Sequence, residues 1–208
     1  MTEYYIPTGP GEAEFTEKRS RFLGHVRRVE SEEEAKAFIA EMKKKYYDAR
    51  HNCWCYIIRD GAERYSDDGE PQGTAGIPML EVFRREGLCN LVCVVTRYFG
   101  GVLLGAGGLL RAYTKSAKDA LDAAGVSVVR RWVEAELPCS YAMAERLKTE
   151  VAAFDGIVTS MDYAAFVTIK ALVPEEKAED FKARIFDISA GTVKAVLTGE
   201  AFRAVPLK

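Results

Sequence analysis

The stretch that decides the fold lies near the middle of the chain, where residues 91–124 read LVCVVTRYFGGVLLGAGGLLRAYTKSAKDALDAA. An apolar run predicts a buried strand, five glycines follow at residues 100–108, and a helix is predicted over residues 109–123. A strand that passes through glycines into a helix presents backbone N–H groups at the positive end of the helix dipole, which suits an anion. The segment matches neither a P-loop nor a dinucleotide fingerprint, so we expect no bound cofactor.

Basic residues follow the glycines on one side of the predicted helix. Arg111, Lys115 and Lys118 are spaced i, i+4, i+7, and like charges at this spacing slightly destabilise an isolated helix. An external anion would explain the stripe. The alternative is an ordinary solvated face, on which Lys118 pairs with Asp122.

A second informative segment, SDDGEPQGTAG at residues 66–76, places Asp67, Asp68 and Glu70 within four residues. Three carboxylates so close together could hold a divalent cation or supply acid–base groups. They could instead cap the next helix and pair with Arg97, which strand alternation places on the same face as Cys93 and Val95. We favour the structural role, because no second acidic cluster or histidine pair completes a metal site.

His51 and the cysteines are further candidates for chemistry. His51 begins a predicted strand, and we interpret it as a polar anchor rather than a catalytic base. The five cysteines, an odd number, include Cys53 and Cys55 in one aromatic run. They lack the spacing or the partner histidines of a zinc site, so we expect buried, reduced thiols rather than a metal or redox centre.

Composition excludes several classes of protein. The 208 residues are 48% apolar and 29% charged, and 29 Lys+Arg against 31 Asp+Glu give a net charge of −2. This balance argues against a disordered chain and against a uniformly basic protein that coats nucleic acid. A local basic patch is compatible with it. The chain has no apolar run of bilayer length and no secretory signal, so we expect a cytoplasmic protein that does not contact membranes.

The pattern of elements predicts an α+β protein with two domains. Residues 133–208 give the order β-α-β-β-α-β, the ferredoxin-like arrangement, with a strand over 133–137 and a last strand over 192–202. Residues 1–132 mix strands and helices without strict alternation. They include a strand-rich start over 13–29, a helix with a capping box at Ser31 and Glu34, and a strand over 126–129 that leads into the second domain.

Several long motifs in order resemble the IMPACT family in its bacterial, YigZ-type form. They are KRSRF (18–22), DARHNC (48–53), SDDGEPQGTAG (66–76), VTRYFGG (95–101) and LGAGGLLRAY (104–113). The resemblance implies that the first domain shares its fold with a domain of ribosomal protein five of the small subunit and with domain four of elongation factor G. It also implies that the second domain resembles the ferredoxin-like last domain of that factor. Eukaryotic relatives regulate translation by binding the activator of an initiation-factor kinase through a separate N-terminal domain. This sequence has no counterpart of that domain, so we do not carry kinase regulation over.

The resemblance and the basic glycine-rich segment together predict a non-enzymatic, translation-linked regulator that binds RNA or the ribosome, or a translation-related protein. The expected phosphate contacts are Arg97, Gly100, Gly101, Gly105, Gly107, Gly108, Arg111 and Lys115, with His51, Asp67, Asp68 and Glu70 shaping the site. So small a patch predicts modest affinity. Two alternatives stay open: a metal-dependent hydrolase using Asp67, Asp68, Glu70 and His51, and a protein-binding module that does not contact nucleic acid.

Overall fold

The structure, a computed structural model, describes residues 3–207. Its elements in chain order are β1 (Tyr4–Pro7), β2 (Gly11–Glu17), β3 (Ser20–Arg28), α1 (Glu32–Lys45), β4 (His51–Ile57), β5 (Glu63–Ser66), α2 (Gly76–Arg85), β6 (Leu91–Tyr98), α3 (Ala106–Ala124), β7 (Val126–Cys139), α4 (Tyr141–Ala153), β8 (Ile157–Tyr163), β9 (Val167–Pro174), a 3₁₀ turn (Glu175–Lys177), α5 (Ala178–Ile188) and β10 (Val196–Pro206). No helix of the described residues is long and apolar enough to cross a membrane.

The chain forms two compact units, which the long strand β7 connects. One comprises residues 4–128 and 204–207, and the other comprises residues 129–203 with Glu3. The domain boundary predicted at residue 132 falls within this same strand.

The N-terminal unit is built on a five-stranded sheet in the order β2-β3-β6-β4-β5, in which all neighbouring strands are antiparallel. Alternate residues of its strands serve two cores. Cys53 and Cys55 of β4 pack with α2 and α3, whereas Trp54 and Tyr56 pack with α1. This division follows from the period-2 geometry of a strand, and it means that helices cover both faces of the sheet.

Register across the centre of this sheet places the charged end of β6 beside the start of β4. Arg97 lies directly opposite His51, just beyond the pair Val95 and Cys53. Since Val95 and Cys53 belong to the core under α2 and α3, Arg97 and His51 point to that same side. The predicted alternation along β6 is confirmed.

In the C-terminal unit, β7, α4, β8, β9, α5 and β10 follow one another in the predicted β-α-β-β-α-β order. Strand β9 lies between β7 and β8, antiparallel to both, and β10 pairs with β7. Leu147 and Val151 of α4 and Phe181 and Ile185 of α5 pack in one core with Ile169 and other residues of the sheet. The α+β class and the order of elements are therefore as expected.

The strand-rich start is present as a hairpin, and two other local expectations differ from the structure. The strand-rich start expected over residues 13–29 is the hairpin of β2 and β3, whose turn residues Lys18 and Arg19 have φ of 44° and 65°. Since neither is Gly, Asn or Asp, the residues typical of such φ values, the sequence gives no sign of the turn. The strands expected over 126–129 and 133–137 are one strand, and the last strand begins at Val196 rather than near residue 192. Arg130 and Arg131 also lie in β7: the guanidinium of Arg130 lies 4.9 Å from the Trp132 ring centre, and Arg131 pairs with Glu175 at 2.8 Å.

The capping box at the start of α1 is present in modified form. The Ser31 hydroxyl accepts a hydrogen bond from the Glu34 amide at 3.2 Å, as the motif predicts. The Glu34 carboxylate accepts from the Glu30 amide at 2.8 Å, one residue before the expected one.

Candidate nucleic-acid interface and the adjoining cavity

A buried ion pair lies at the end of β6. The Arg97 guanidinium donates to Glu70 Oε1 at 2.7 Å, and the two side chains are only 5% and 3% exposed. Tyr113 of α3 donates its hydroxyl to the same oxygen at 2.8 Å. Burial raises the pKa of Tyr113 far above its ordinary value, so its hydroxyl keeps its proton and serves as a donor. Arg97, which the sequence predicts as a phosphate contact, therefore already has a carboxylate partner.

The same arginine is connected to the glycine segment. Arg97 donates a second hydrogen bond to the Ser20 hydroxyl at 3.3 Å, and that hydroxyl also accepts from the Gly100 amide at 3.3 Å. Its guanidinium lies 5.6 Å from the centre of the Phe22 ring and 5.4 Å from that of Phe99. Arg97 thus links three segments: the start of β3, the loop after β6 and the acidic loop.

The carboxylates of Asp67 and Asp68 already accept hydrogen bonds from other groups of the protein. Asp67 accepts hydrogen bonds from the amides of Gly73 (2.8 Å), Ala75 (3.1 Å) and Gly76 (2.8 Å), which hold the loop and the first turn of α2. Asp68 accepts from the Asn52 amide and from Lys43, each at 2.7 Å. Neither carboxylate pairs with Arg97, and within residues 3–207 no group of three or more His, Cys, Asp or Glu side chains is placed to hold a metal ion.

His51 has a defined orientation. Its Nδ1 lies 2.9 Å from the carbonyl oxygen of Asp68. A carbonyl can only accept, so Nδ1 carries a hydrogen, and in the neutral form of the ring Nε2 is the acceptor nitrogen. Nε2 lies 3.9 Å from Glu70 Oε1, beyond hydrogen-bond distance, and the residue is 8% exposed.

Cys53 lies in the core and anchors the acidic loop. Its thiol donates to the carbonyl of Asp67 at 2.9 Å, and burial raises the pKa of the thiol well above its ordinary value. The neutral thiol therefore serves as packing and as a loop anchor. Cys53, Cys55, Cys93 and Cys139 are buried, Cys89 is partly buried, and all five are free thiols.

The structure requires glycine at several positions between β6 and α3, for different reasons. A Cβ at Gly100 would lie 2.0 Å from the carbonyl oxygen of Arg19, so a side chain is sterically impossible without a shift of backbone. Gly101 and Gly105 have φ of 82° and 73°, in the region that favours glycine. Gly105 caps α3 without a side-chain hydrogen bond, and the first turn, with Gly107 and Gly108, contains no acidic residue.

A cavity of about 370 Å³ lies between this helix start and the ion pair. Its polar lining includes His51, Glu70, Arg97 and Arg50, and its apolar lining includes Phe99 and four leucine or proline side chains: Pro71, Leu103, Leu104 and Leu109. Gly105 and Ala106 bring the start of α3 to the cavity as well. The volume lies within the range of pockets for small organic ligands.

The other predicted phosphate contacts line a different depression. Arg111, Lys115 and Gly108 of α3 surround a space of about 260 Å³ together with Phe15, Glu17 and Lys18 of the β2–β3 hairpin. Lys115 pairs with Asp119 at 2.5 Å, whereas Arg111 makes no ion pair within residues 3–207. Lys118 pairs with Glu86 and with Asp122, as the solvated-face alternative predicts for that residue. The sequence-predicted set is thus divided: Arg97 and Gly105 belong to the first cavity, and Gly108, Arg111 and Lys115 to the second.

Tyr113 and Ser20 are components of the site that the sequence reasoning missed. Its spacing with Leu109 and Ala117 puts Tyr113 on the apolar side of the helix, so the pattern alone gives it no polar role. A tyrosine on a buried face needs a partner for its hydroxyl, and this signal could have led to Glu70. Ser20 gave no signal, because the β2–β3 turn was not predicted.

These features define a two-domain α+β protein whose N-terminal unit carries a basic strand-to-helix segment beside a cavity with a buried ion pair. The Impact N-terminal domain matches residues 18–121, and the Domain of unknown function (DUF1949) matches residues 137–192. The chain belongs to the IMPACT family.

Relatives of this family match most of the chain. It is 36% identical over 193 residues to the IMPACT family member YvyE of Bacillus subtilis, covering 92% of this chain and 89% of the relative. It is 34% identical over 204 residues to the IMPACT family member YigZ of Escherichia coli, covering 96% and 100%. Protein IMPACT of Mus musculus is 33% identical over 109 residues, which are 50% of this chain and 34% of that protein.

A solved structure has the same architecture. It is titled "Crystal structure of an hypothetical protein", has a TM-score of 0.60 and 33% identity, and the match covers 96% of this chain and 98% of that one.

Proposed function

We propose that this protein is a non-enzymatic, translation-linked regulator that binds RNA, free or in the ribosome, through the start of α3. The observation that carries the proposal is a depression along the first three turns of α3, where Arg111, Lys115 and Lys18 outnumber the one carboxylate, Glu17, and where the first helical turn has no acidic residue. Such a surface attracts phosphate by charge and by the helix dipole. The link to translation rests on membership of the IMPACT family.

The residues of the predicted set take different roles in this proposal. Arg111, Lys115 and the backbone of Gly107 and Gly108 contact phosphate. Arg97 is a positioning residue, because its guanidinium is held by Glu70 and Ser20 inside the protein. Phosphate contacts fix position on RNA and carry little sequence information, so this surface alone predicts weak and salt-dependent binding.

The test is co-sedimentation with ribosomes from a cell lysate at low and moderate salt. The full chain should pellet at low salt and be released as salt rises, and Arg111→Ala/Lys115→Ala should remain in the supernatant. For the purified protein and single-stranded RNA, each phosphate contact adds about 0.7 to the slope of log K against log salt, so the double variant should lower the slope by about 1.4.

The matched control removes the same number of charges from the opposite side of the sheet. Lys36 and Lys44 lie on α1, whereas the proposed surface lies on α3. Lys36→Ala/Lys44→Ala should pellet like the native chain. Equal losses in both double variants would overturn the assignment to α3, and pelleting that is insensitive to salt would favour the protein-binding alternative.

A further inference from the structure

The cavity of about 370 Å³ is lined by two nearly buried residues, Glu70 and His51, each with a side-chain atom that accepts no hydrogen bond from residues 3–207. Glu70 receives both of its hydrogen bonds on Oε1, and no group within residues 3–207 donates to Oε2. His51 Nε2 likewise receives no hydrogen bond from residues 3–207, and it is the acceptor nitrogen when the ring is neutral with its hydrogen on Nδ1. Both residues line the cavity, so a ligand bound there can reach these two atoms. A ligand edge that carries two N–H donors would satisfy both.

The charges of the cavity define the rest of the ligand. Glu70 and Arg97 neutralise one another at the buried end. The rim adds the exposed Arg50 and the N-terminus of α3 at Ala106, so the net potential at the rim is positive. A cationic donor such as an arginine or lysine side chain is therefore disfavoured. The cavity suits a neutral donor edge at its buried end and an anion at its rim.

The walls between these two ends are apolar and partly aromatic. Phe99 is 39% exposed, and Leu103 is 82% exposed, which is unusual for a leucine beside a cavity. The Phe99 ring has Arg97 at 5.4 Å and Arg50 at 5.8 Å from its centre. Aromatic side chains flanked by arginine are typical surfaces for stacking a nucleobase.

We propose that this cavity binds one nucleotide, with a guanine-type donor edge on Glu70 and His51 and its phosphate at Arg50 and the start of α3. Guanine presents N1–H and the N2 amino group side by side, whereas adenine presents no such pair. The inference rests on the proposed function where the nucleotide belongs to an RNA strand, in which case the cavity adds base preference to the phosphate contacts of Arg111 and Lys115.

The first test is equilibrium dialysis of the full native chain with GMP, IMP and AMP at low salt. GMP should bind at least about tenfold more tightly than AMP, the discrimination typical of a two-donor contact, and IMP should be intermediate because it has lost one donor. AMP binding as tightly as GMP, or the absence of saturable GMP binding, would overturn the inference.

Variants at the rim test the placement without disturbing the buried ion pair. Leu103→Asn should weaken GMP binding several-fold, whereas the matched control Leu110→Asn should not, because Leu110 is also exposed on the surface but does not line the cavity. Arg50→Ala should weaken GMP more than guanosine, which lacks the phosphate. Equal effects of the two leucine variants would contradict the placement.

A final comparison distinguishes a free nucleotide from RNA and separates the two proposals. The probe is an RNA pentamer with guanosine at its centre and uridine at the other four positions. It should bind more tightly than GMP if the cavity binds a nucleotide within RNA, and no more tightly if it binds free nucleotides. Arg111→Ala/Lys115→Ala should reduce binding of the pentamer but not of GMP. Ribosome pelleting without a GMP preference would refute the cavity inference alone, and a GMP preference without pelleting would refute only the proposed function.

Discussion

Replacing Arg97 by Met should destabilise the N-terminal unit by about 3–5 kcal/mol, the usual cost of leaving a buried charge without its partner. The side chains of Arg97 and Glu70 are 5% and 3% exposed, so water could reach the remaining carboxylate only from the cavity. After the substitution, the Glu70 carboxylate would keep only the Tyr113 hydroxyl as a side-chain donor. The Ser20 hydroxyl, and with it the loop at Gly100, would also lose its bond to Arg97.

Hydrogen exchange measured by mass spectrometry on peptides from β4 and β6 is the suitable assay, because it reports on this unit separately from the C-terminal one. A loss of about 3 kcal/mol corresponds to amide exchange about 150-fold faster in the most protected residues of these strands. The double variant Glu70→Leu/Arg97→Met should lose much less than the sum of the single variants, because it leaves no unpaired charge.

The control is Arg21→Met, which removes an arginine whose pair with Glu14 is about half exposed. Exposed pairs contribute little, so exchange in β4 and β6 should barely change. If Arg97→Met altered exchange no more than Arg21→Met, or if the double variant lost the full sum, the pair would not be a buried, mutually dependent unit.

Three further substitutions test other parts of the N-terminal unit. Burial lowers the pKa of His25 below 6.5, so as the pH falls the unfolded chain takes up this proton before the folded chain does. The free energy of unfolding should therefore decrease below about pH 6.5. In urea unfolding at pH 7.5 and 5.5, His25→Gln should show a smaller decrease between the two pH values. Gly24→Ala should lower the free energy of unfolding by about 1–3 kcal/mol, because the new Cβ would lie 2.5 Å from the Ser116 carbonyl oxygen. Gly9→Ala, whose Cβ would have no atom within 4 Å, should leave the free energy of unfolding in urea unchanged. Asp67→Ala should lower the free energy of unfolding by about 1–3 kcal/mol and speed amide hydrogen exchange across residues 67–76, because three backbone amides lose their acceptor.

The sequence predicts the direction of a side chain more readily than its partner. Alternation along β6 correctly places Arg97 on the side of Cys93 and Val95, because the period of a strand is fixed by backbone geometry. Which carboxylate meets it depends on how a loop 27 residues away folds back, and the candidates Asp67, Asp68 and Glu70 were indistinguishable by spacing. The structure selects Glu70, because Asp67 binds backbone amides and Asp68 binds Lys43 and Asn52.

The same limit explains why the predicted phosphate contacts were grouped together. Arg97 and Arg111 are close in sequence and flank the same glycines, so a single site was the simplest interpretation. The strand directs Arg97 toward the core, whereas the helix places Arg111 on its exposed side, next to the β2–β3 hairpin. That hairpin has no Gly, Asn or Asp in its turn, so the second depression could not be foreseen.

The buried ion pair also bears on what the cavity is for. A buried pair of charges is weak evidence for a role in stability, because well-packed apolar residues in its place are often neutral or stabilising. Glu70 and Arg97 lie in the wall of an open cavity rather than deep in the core, and Glu70 keeps one oxygen that no described residue uses. Such a carboxylate is pre-oriented for a ligand, since its position is fixed by donors on the other oxygen. If Glu70→Leu/Arg97→Met folds with near-native exchange protection and loses the preference for GMP over AMP, the pair exists for recognition rather than for the fold.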